Sequence, residues 1–203
     1  MSQAQFTSTP QGTQPAGSTL SSDTLTVLHV GCGSRNATEL HDAFKGENWE
    51  EVRLDIDPAV EPDIVASITD MSPVASGTVD AIFCSHNLEH LEAHEVPLAL
   101  AEFHRVLASG GMLLVTMPDL QAVAKVIAEG KLEETVYVSP AGPVAAIDIV
   151  YGYRPYISGG ANRMGHRTGF TQGSLKKHLA AAGFTDGQVW SQEFDLWAMM
   201  TRS

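Results

Sequence analysis

The amino-acid sequence predicts an α/β protein with a mainly parallel, doubly wound sheet. Three observations lead to this class. Apolar runs of strand length recur along the chain, helical patterns separate them, and the first run ends in a turn with two glycines, Gly31 and Gly33, before a helical pattern over 35–44. Alternating strands and helices form a parallel sheet, and ligands bind beyond the carboxyl ends of its strands.

The remaining elements follow from periodicity and from turn residues. Apolar runs predict strands over 24–30, 51–55, 62–67, 79–84, 112–117, 188–192 and 196–201. Apolar spacings of three and four predict helices over 93–107, 120–129 and 174–182. The link between the second and third strands is too short for a full crossover helix. The first strand is the expected switch point of the sheet, so the strand ends should face one crevice.

The domain organisation follows from local composition. Residues 1–22 are rich in Ser, Thr, Gln, Pro and Gly, which predicts a flexible N-terminal leader. Residues 23–203 are then a single domain. Within it, 130–170 concentrates Pro, Gly and Tyr with weak periodicity, and so long a segment in a compact domain is more often functional than idle. We interpret it as an insertion that forms a lid, a homodimer surface or both.

Bulk composition excludes several classes of partner. The formal net charge is -12 and the sequence pI is about 4.9, which argues against nucleic acid or an anionic membrane as the main partner. Two cysteines, Cys32 and Cys84, do not make a disulfide framework, and reduced thiols predict a cytoplasmic protein. The chain has no apolar run long enough to span a bilayer and no N-terminal signal pattern, so no membrane partner is expected.

The spacing of the first acidic residues indicates a nucleotide-like ligand. Asp55 follows the glycine turn by about 20 residues, where a carboxylate accepts hydrogen bonds from ribose hydroxyls, and Asp57 is the second choice. Ser67 and Ile68 follow the third strand, where an apolar side chain and a backbone N–H can hold an adenine edge. An ordinary capped turn is an equal interpretation of that segment.

Polar residues after the fourth strand are the expected reacting groups. His86 is a candidate general base, because the ordinary pKa of histidine lies near neutrality. His90 is interpreted as a structural hydrogen-bonding group and Cys84 as a small buried hydrophobe. His86, His90 and His94 share a helical spacing of four, but no metal-binding pattern supports them, and we predict no metal site.

The late insertion has a polar and aromatic character. His166 is a second candidate base, and Arg154 and Arg167, with Tyr151, are candidates to bind a carboxylate or phosphate of a substrate. The alternative is a lid that surface hydrogen bonds hold in place.

Together these motifs resemble the class I S-adenosylmethionine-dependent methyltransferases. The resemblance rests on four segments. These are the glycine turn at 27–33, the acidic segment 54–58, the segment 79–91, which ends in Leu-Glu-His-Leu, and the segment 103–119, which contains Ser-Gly-Gly and ends in Met-Pro-Asp. It covers 25–119 well, the closing helix and strand pair loosely, and the insertion hardly at all. The combination is far more specific than the glycines alone.

The resemblance implies a Rossmann-like sheet of seven strands with the last strand antiparallel, and S-adenosylmethionine as cofactor. It implies contacts with the methionine part, the ribose and the adenine of that cofactor from Gly31, Cys32, Gly33, Asp55, Ser67, Ile68 and Ser85. Three positions depart from the family pattern. His29 and Ser67 stand where acids are usual, and Asn36 stands where the third glycine of the turn is usual.

The function that follows is methyl transfer to a small-molecule acceptor by in-line displacement, with His86 and His166 as candidate bases. One alternative is a cofactor-binding or interaction protein of the same fold without turnover. Another is a nicotinamide-dependent oxidoreductase, against which the Leu-Glu-His-Leu segment and the short link between strands argue. The acceptor is left open.

Overall fold

A computed structural model describes residues 24–35 and 40–203. Its main feature is a seven-stranded sheet with the strand order β3-β2-β1-β4-β5-β9-β8. These strands are β1 Leu25–Val30, β2 Trp49–Asp55, β3 Ile64–Val65, β4 Val79–Ser85, β5 Leu107–Pro118, β8 Asp186–Gln192 and β9 Asp195–Thr201. A separate hairpin pairs β6 Thr135–Ser139 with β7 Gly142–Ala145.

The topology confirms the predicted fold class. Strands β1 to β5 pair in parallel, whereas β9 runs antiparallel to both β5 and β8. Strand order reverses between β1 and β4, which places the switch point at the end of β1, as predicted. Because β9 is antiparallel, its first residue, Asp195, pairs with Pro118 at the same edge as the carboxyl ends of the parallel strands.

Five α-helices accompany the strands in the described part of the chain. They are α1 Val96–Val106, α2 Leu120–Ala128, α3 Ala146–Tyr151, α4 Arg154–Ser158 and α5 Gln172–Ala181. The predicted apolar face of α1 is confirmed, since Val96, Leu100 and Phe103 are buried. Asp119 begins α2 by accepting a hydrogen bond from the N–H of Gln121 (2.9 Å), as predicted for this residue.

The core lies on both faces of the sheet because alternate strand residues point to opposite sides. On one face Leu28, Val30 and Ile82 pack with α1 and α5. On the other face Val27 and Phe83 pack with further apolar side chains. A separate cluster joins α2 to the 130–170 segment. No helix within the described ranges is both long and apolar enough to cross a membrane.

Several boundaries differ from prediction for local reasons. The third strand contains only Ile64 and Val65, and a short 3-10 turn, Pro58–Val60, replaces a crossover helix. Of the predicted helix over 35–44, residues 36–39 lie outside the described residues, and a 3-10 turn covers Asp42–Phe44. The predicted leader over 1–22 also lies outside them. The 130–170 segment contains the hairpin, α3 and α4, which its weak periodicity did not predict.

Candidate functional site

The glycine turn at the end of β1 has a backbone that glycine accommodates best. Gly31 and Gly33 have φ angles of 59° and 58°, in the left-handed region. A Cβ at Gly31 would overlap the side-chain amide of Asn87. That amide donates hydrogen bonds to the carbonyls of Ser85 (2.8 Å) and Val30 (3.2 Å), so it fastens the end of β1 to the end of β4.

Asp55 faces this turn from the neighbouring strand. Its Oδ2 accepts a hydrogen bond from the N–H of Gly33 (2.9 Å), and its Oδ1 accepts one from the N–H of Asp57 (2.9 Å). Asp57 instead caps the Pro58–Val60 turn through the N–H of Ala59 (2.9 Å). Each carboxylate oxygen of Asp55 keeps a second lone pair, so the group can still accept hydrogen bonds from a ligand.

Arg53 is a buried residue of the site that the sequence interpretation missed. Its side chain is 3% exposed and donates to the carbonyl of Gly33 and, more weakly, to that of Glu61 (3.4 Å). The guanidinium therefore stabilises the glycine turn through the carbonyl of Gly33. An arginine in a strand is usually a solvated side chain, so the sequence carried no signal for this role.

The segment after β3 forms a compact turn. The hydroxyls of Ser67 and Thr69 are hydrogen-bonded (2.7 Å), and the N–H of Asp70 donates to the carbonyl of Ser67 (3.0 Å). Ile68 is partly buried against the main core. The N–H of Ala66 donates to the carbonyl of Asp55 (3.0 Å), which holds this turn beside the acidic end of β2.

His86 occupies the turn directly after β4. Its φ of 53° is rare for a residue with a side chain, and its N–H donates to the carbonyl of Thr116 (2.9 Å). Its Nδ1 donates to Oε1 of Glu89 (3.1 Å), and its Nε2 lies 3.7 Å from Oδ1 of Asp195. Partial burial lowers the pKa of His86, but the hydrogen bond and charge of Glu89 outweigh it and hold that pKa above its ordinary value.

Glu89 is a buried carboxylate, 1% exposed, in the 3-10 turn Leu88–His90. Its burial alone would raise the pKa of the carboxyl, yet the hydrogen bond and charge of His86 and the charge of His90 hold that pKa below its ordinary value. Its second oxygen, Oε2, has no hydrogen-bond partner among the described residues. A buried, charged and half-partnered carboxylate is costly and requires an explanation.

Main-chain hydrogen bonds dock the late segment, residues 130–170, onto this turn. The N–H groups of Arg167 (2.8 Å) and Thr168 (3.2 Å) both donate to the carbonyl of Glu89. Nδ1 of His90 donates to the carbonyl of Gly165 (3.2 Å). These bonds bring His166 next to His90, with ring centroids 5.0 Å apart in an edge-to-face arrangement. His86 and His166, the two candidate bases predicted from the sequence, thus both lie near the Glu89 carboxylate.

The structure brings together a group of side chains that could bind a metal ion, and this group differs from the three histidines with helical spacing. Glu89, His90 and His166 offer one ligand atom each within 4.8 Å of one another. His86, His90 and His94 do not share a helix face, because the helical turn ends at His90 and the chain is extended at Leu91.

The predicted substrate residues have partners within the protein. Arg154 donates through Nε (2.6 Å) and Nη2 (3.3 Å) to the buried carboxylate of Asp148. Arg167 pairs with Glu92 (2.9 Å), and both side chains are about half exposed. The side chain of Tyr151 is exposed, while its carbonyl accepts from the N–H of His166 (3.1 Å).

Both cysteines are buried within the sheet. Burial raises the pKa of the Cys32 thiol to about 11 and raises that of Cys84 further, so neither thiol is a thiolate near neutrality. Cys32 continues the pairing of β1 with β2, since its N–H donates to the carbonyl of Leu54 (3.2 Å).

His29 lies on β1 beneath the site. Its ring is 1% exposed, contacts Phe83, and has Nδ1 2.7 Å from Oε1 of Glu51. Burial lowers the pKa of His29, and the hydrogen bond to Glu51 offsets only part of that effect. A neutral imidazole therefore stands where the family pattern has an acid.

The comparisons with known proteins agree with this geometry. Residues 28–115 match the family model of a methyltransferase domain. This stretch runs from β1 to β5 and includes the glycine turn, Asp55 and His86. The match supports the resemblance predicted from the sequence, and solved structures of S-adenosylmethionine-dependent methyltransferases share the fold. The domain implies S-adenosylmethionine as cofactor, as predicted.

Solved structures share the fold at low sequence identity. A SAM-dependent methyltransferase from Methanosarcina mazei is 16% identical, with a TM-score of 0.59 over 89% of this chain and 93% of that one. One from Archaeoglobus fulgidus is 15% identical, with a TM-score of 0.57 over 87% and 86%. A protein from Pyrococcus horikoshii is 14% identical, with a TM-score of 0.58 over 88% and 82%. No curated protein matches the sequence with significance.

Proposed function

We propose that this protein transfers the methyl group of S-adenosylmethionine to a small-molecule acceptor. The observation that supports the proposal most is the meeting of the glycine turn, the Asp55 carboxylate and the His86 turn at one edge of the sheet. In doubly wound sheets this edge, at the switch point, is where nucleotide ligands bind.

The residues present fit the cofactor. The backbone at Gly31 and Gly33 lacks a Cβ, so a ligand can approach it closely, and Asp55 is aimed at that turn. We assign Gly31, Cys32 and Gly33 to the methionine part and Asp55 to the ribose hydroxyls. Ser67 and Ile68 then flank the adenine, and Ser85 flanks the methionine part.

The chemistry requires alignment more than acid–base catalysis. The bound cofactor supplies an electrophilic sulfonium methyl group, and the protein has to hold an acceptor atom in line with it at contact distance. Where the acceptor must lose a proton, Nε2 of His86 is the atom we assign to accept it, because Nδ1 is held by Glu89. His166, which also lies near the Glu89 carboxylate, is the second candidate.

The acceptor side is formed by the late segment that docks on Glu89. We propose that Tyr151 and Arg167, which are exposed, contact the acceptor. Arg154 was predicted in the same role, but its guanidinium is engaged by the buried Asp148, so it supports this segment unless a ligand displaces that ion pair.

Calorimetric titration with S-adenosylmethionine and with its demethylated product tests the proposal. We expect one binding site per chain. Asp55→Asn should weaken binding by about 10-fold or more, since a charged acceptor of two ribose hydroxyls is lost. Asp57→Asn is the matched control, because that acid follows β2 by two residues and also accepts a backbone N–H, yet should leave the affinity within twofold.

Two results would count against the proposal. An absence of heat at millimolar cofactor would reject the cofactor site, and equal loss in both variants would reject the assignment of Asp55. Binding without transfer to any acceptor in a broad metabolite panel would instead favour a cofactor-binding protein of this fold without turnover.

A further inference from the structure

We propose that Glu89, His90 and His166 bind a divalent first-row transition-metal ion, with Zn²⁺ as the first candidate. Two histidines and one carboxylate are a common ligand set for zinc and for non-haem iron, and imidazole ligands disfavour Mg²⁺ and Ca²⁺. Glu89 and His90 lie in one turn, and His166 lies in the late segment, which docks on that turn. The docking includes a hydrogen bond between His90 and Gly165, which are 75 positions apart in the sequence.

The orphaned oxygen of Glu89 is the observation that points to a ligand. The carboxylate is 1% exposed, its Oε1 accepts from His86, and its Oε2 has no hydrogen-bond partner in the part of the chain described. A buried anionic oxygen without a partner is costly. A cation between this oxygen and the two neighbouring rings would compensate its charge.

The hydrogen bonds of His90 and His166 are of the kind that metal-binding histidines make. In each ring Nδ1 carries the proton, because it donates to a backbone carbonyl that can only accept: that of Gly165 for His90 (3.2 Å) and that of Ile149 for His166 (2.9 Å). This leaves Nε2 of each ring with a free lone pair. Backbone carbonyls that fix the tautomer of a ligand histidine in this way are usual at metal sites.

The size of the cluster suits an ion. The ligand atoms lie within 4.8 Å of one another. An ion held about 2.1 Å from each atom brings neighbouring ligand atoms to about 3.0–3.5 Å, so side-chain movements of about 1 Å complete the set. With the ion bound, His166 serves as a ligand and not as a base, and His86 holds the carboxylate through its other oxygen.

An ion with three protein ligands keeps coordination positions open for water or for an oxygen atom of a bound molecule. If the proposed function holds, the open positions bind an oxygen of the methyl acceptor next to His86, and this part of the inference rests on that function. A hydroxylated acceptor, which a cation would orient and make easier to deprotonate, fits such a site.

The test is direct metal binding to the full chain, freed of any histidine tag and of metal by chelation. Calorimetry with ZnCl₂ should give one ion per chain, and CoCl₂ should produce the visible absorption of a protein-bound Co²⁺ ion. Glu89→Gln and His166→Gln should each weaken Zn²⁺ binding by more than about 100-fold, beyond the loss typical of a residue that only hydrogen-bonds to a ligand. MgCl₂ should compete poorly.

His94→Gln is the matched control. His94 is an exposed histidine four residues from His90, and its loss should leave Zn²⁺ binding within twofold. Circular dichroism establishes that each variant is folded, and if Glu89→Gln is not, His166→Gln decides the matter. The proposal is overturned if the wild-type chain binds no Zn²⁺, or if folded Glu89→Gln and His166→Gln bind it as the wild type does. Because no cofactor is present in this titration, a failure of methyl transfer would not affect its outcome.

Discussion

Gly31 lies against the side-chain amide of Asn87, so that a Cβ at this position would overlap the amide. The contact joins the ends of β1 and β4, the two strands between which the order of the sheet reverses. Two features therefore require a glycine here, namely the φ angle of 59° and the side chain of Asn87. Asn87 was not among the predicted site residues, and only its position two residues after the end of β4 could have indicated it.

Gly31→Ala should therefore destabilise the protein by about 2–3 kcal/mol, because it adds a steric overlap to the cost of a left-handed backbone. Urea unfolding measures the change. Gly130→Ala is the control, since Gly130 has a φ of 82° but nothing within 4 Å of its Cβ position. That variant should lose about 1 kcal/mol. Equal losses in the two variants would show that Asn87 imposes no constraint.

The stability of the protein should fall below neutral pH through His29. Its folded pKa is lowered by burial, so the unfolded chain binds a proton more readily as the pH drops below about 6.5. This contribution is fully present above that pH and is lost as the pH falls toward the folded pKa. Glu51, Arg53 and Asp55 are the charged groups nearby that modulate the shift.

His29→Gln should flatten this dependence by up to about 1.4 kcal/mol per pH unit, the limit for one proton. Unfolding free energies measured between pH 7.5 and 5 provide the comparison, with the exposed His94→Gln as reference. A wild-type slope that His29→Gln leaves unchanged would contradict the assignment.

Arg105 should be replaceable by lysine only at a cost. Its guanidinium forms a bidentate pair with Glu102 (2.6 and 2.7 Å) and donates to the carbonyls of Met71 and Val74 (2.9 Å each), which holds the loop before β4 on α1. Lysine cannot reproduce this fork. Because the side chain is about one-third exposed, we expect Arg105→Lys to lower the free energy of unfolding by only about 1 kcal/mol.

The comparison for Arg105 is the exposed pair between Lys131 and Glu129, for which Lys131→Ala should cause no measurable change in chemical unfolding. A loss of stability in Lys131→Ala as large as that in Arg105→Lys would mean that surface charge, and not the fork, is responsible.

Asp148 should be more important for stability than either predicted substrate arginine. Its carboxylate is buried and accepts from the N–H of Ala145 (2.9 Å) and from Arg154. Asp148→Asn should cost about 1–2 kcal/mol, because one charge-assisted partner is lost. Arg167→Ala should leave stability unchanged, since its pair with Glu92 is half exposed. Thermal unfolding of both variants tests this, and a destabilised Arg167→Ala would reverse the ranking.

The sequence predicted the elements that local pattern determines. The continuous apolar run of β1, the helical spacing in α1 and the cap at Asp119 each specify one local structure, and all are found. The hairpin of β6 and β7 was missed, although Ser-Pro-Ala-Gly between two β-rich runs is a turn signal.

Contacts between segments far apart in the chain could not be predicted from the sequence pattern. Nothing in the sequence around His166 indicates that it meets Glu89, because their proximity comes from main-chain hydrogen bonds that any residue type can make. Helical periodicity pointed to His94 instead, since it assumes a helix where the chain forms a single 3-10 turn. Likewise, the burial of Arg53 depends on the fold of the glycine turn above it.

The docking of the late segment on the carbonyl of Glu89 makes few demands on side-chain identity at 167 and 168. Residues there can vary in evolution or in the laboratory while the loop stays in place. The docked loop and the glycine turn beside Asp55 are then separable in design. Grafting another loop onto the same carbonyl would change the surface next to Glu89 and leave the hydrogen bond between Gly33 and Asp55 untouched.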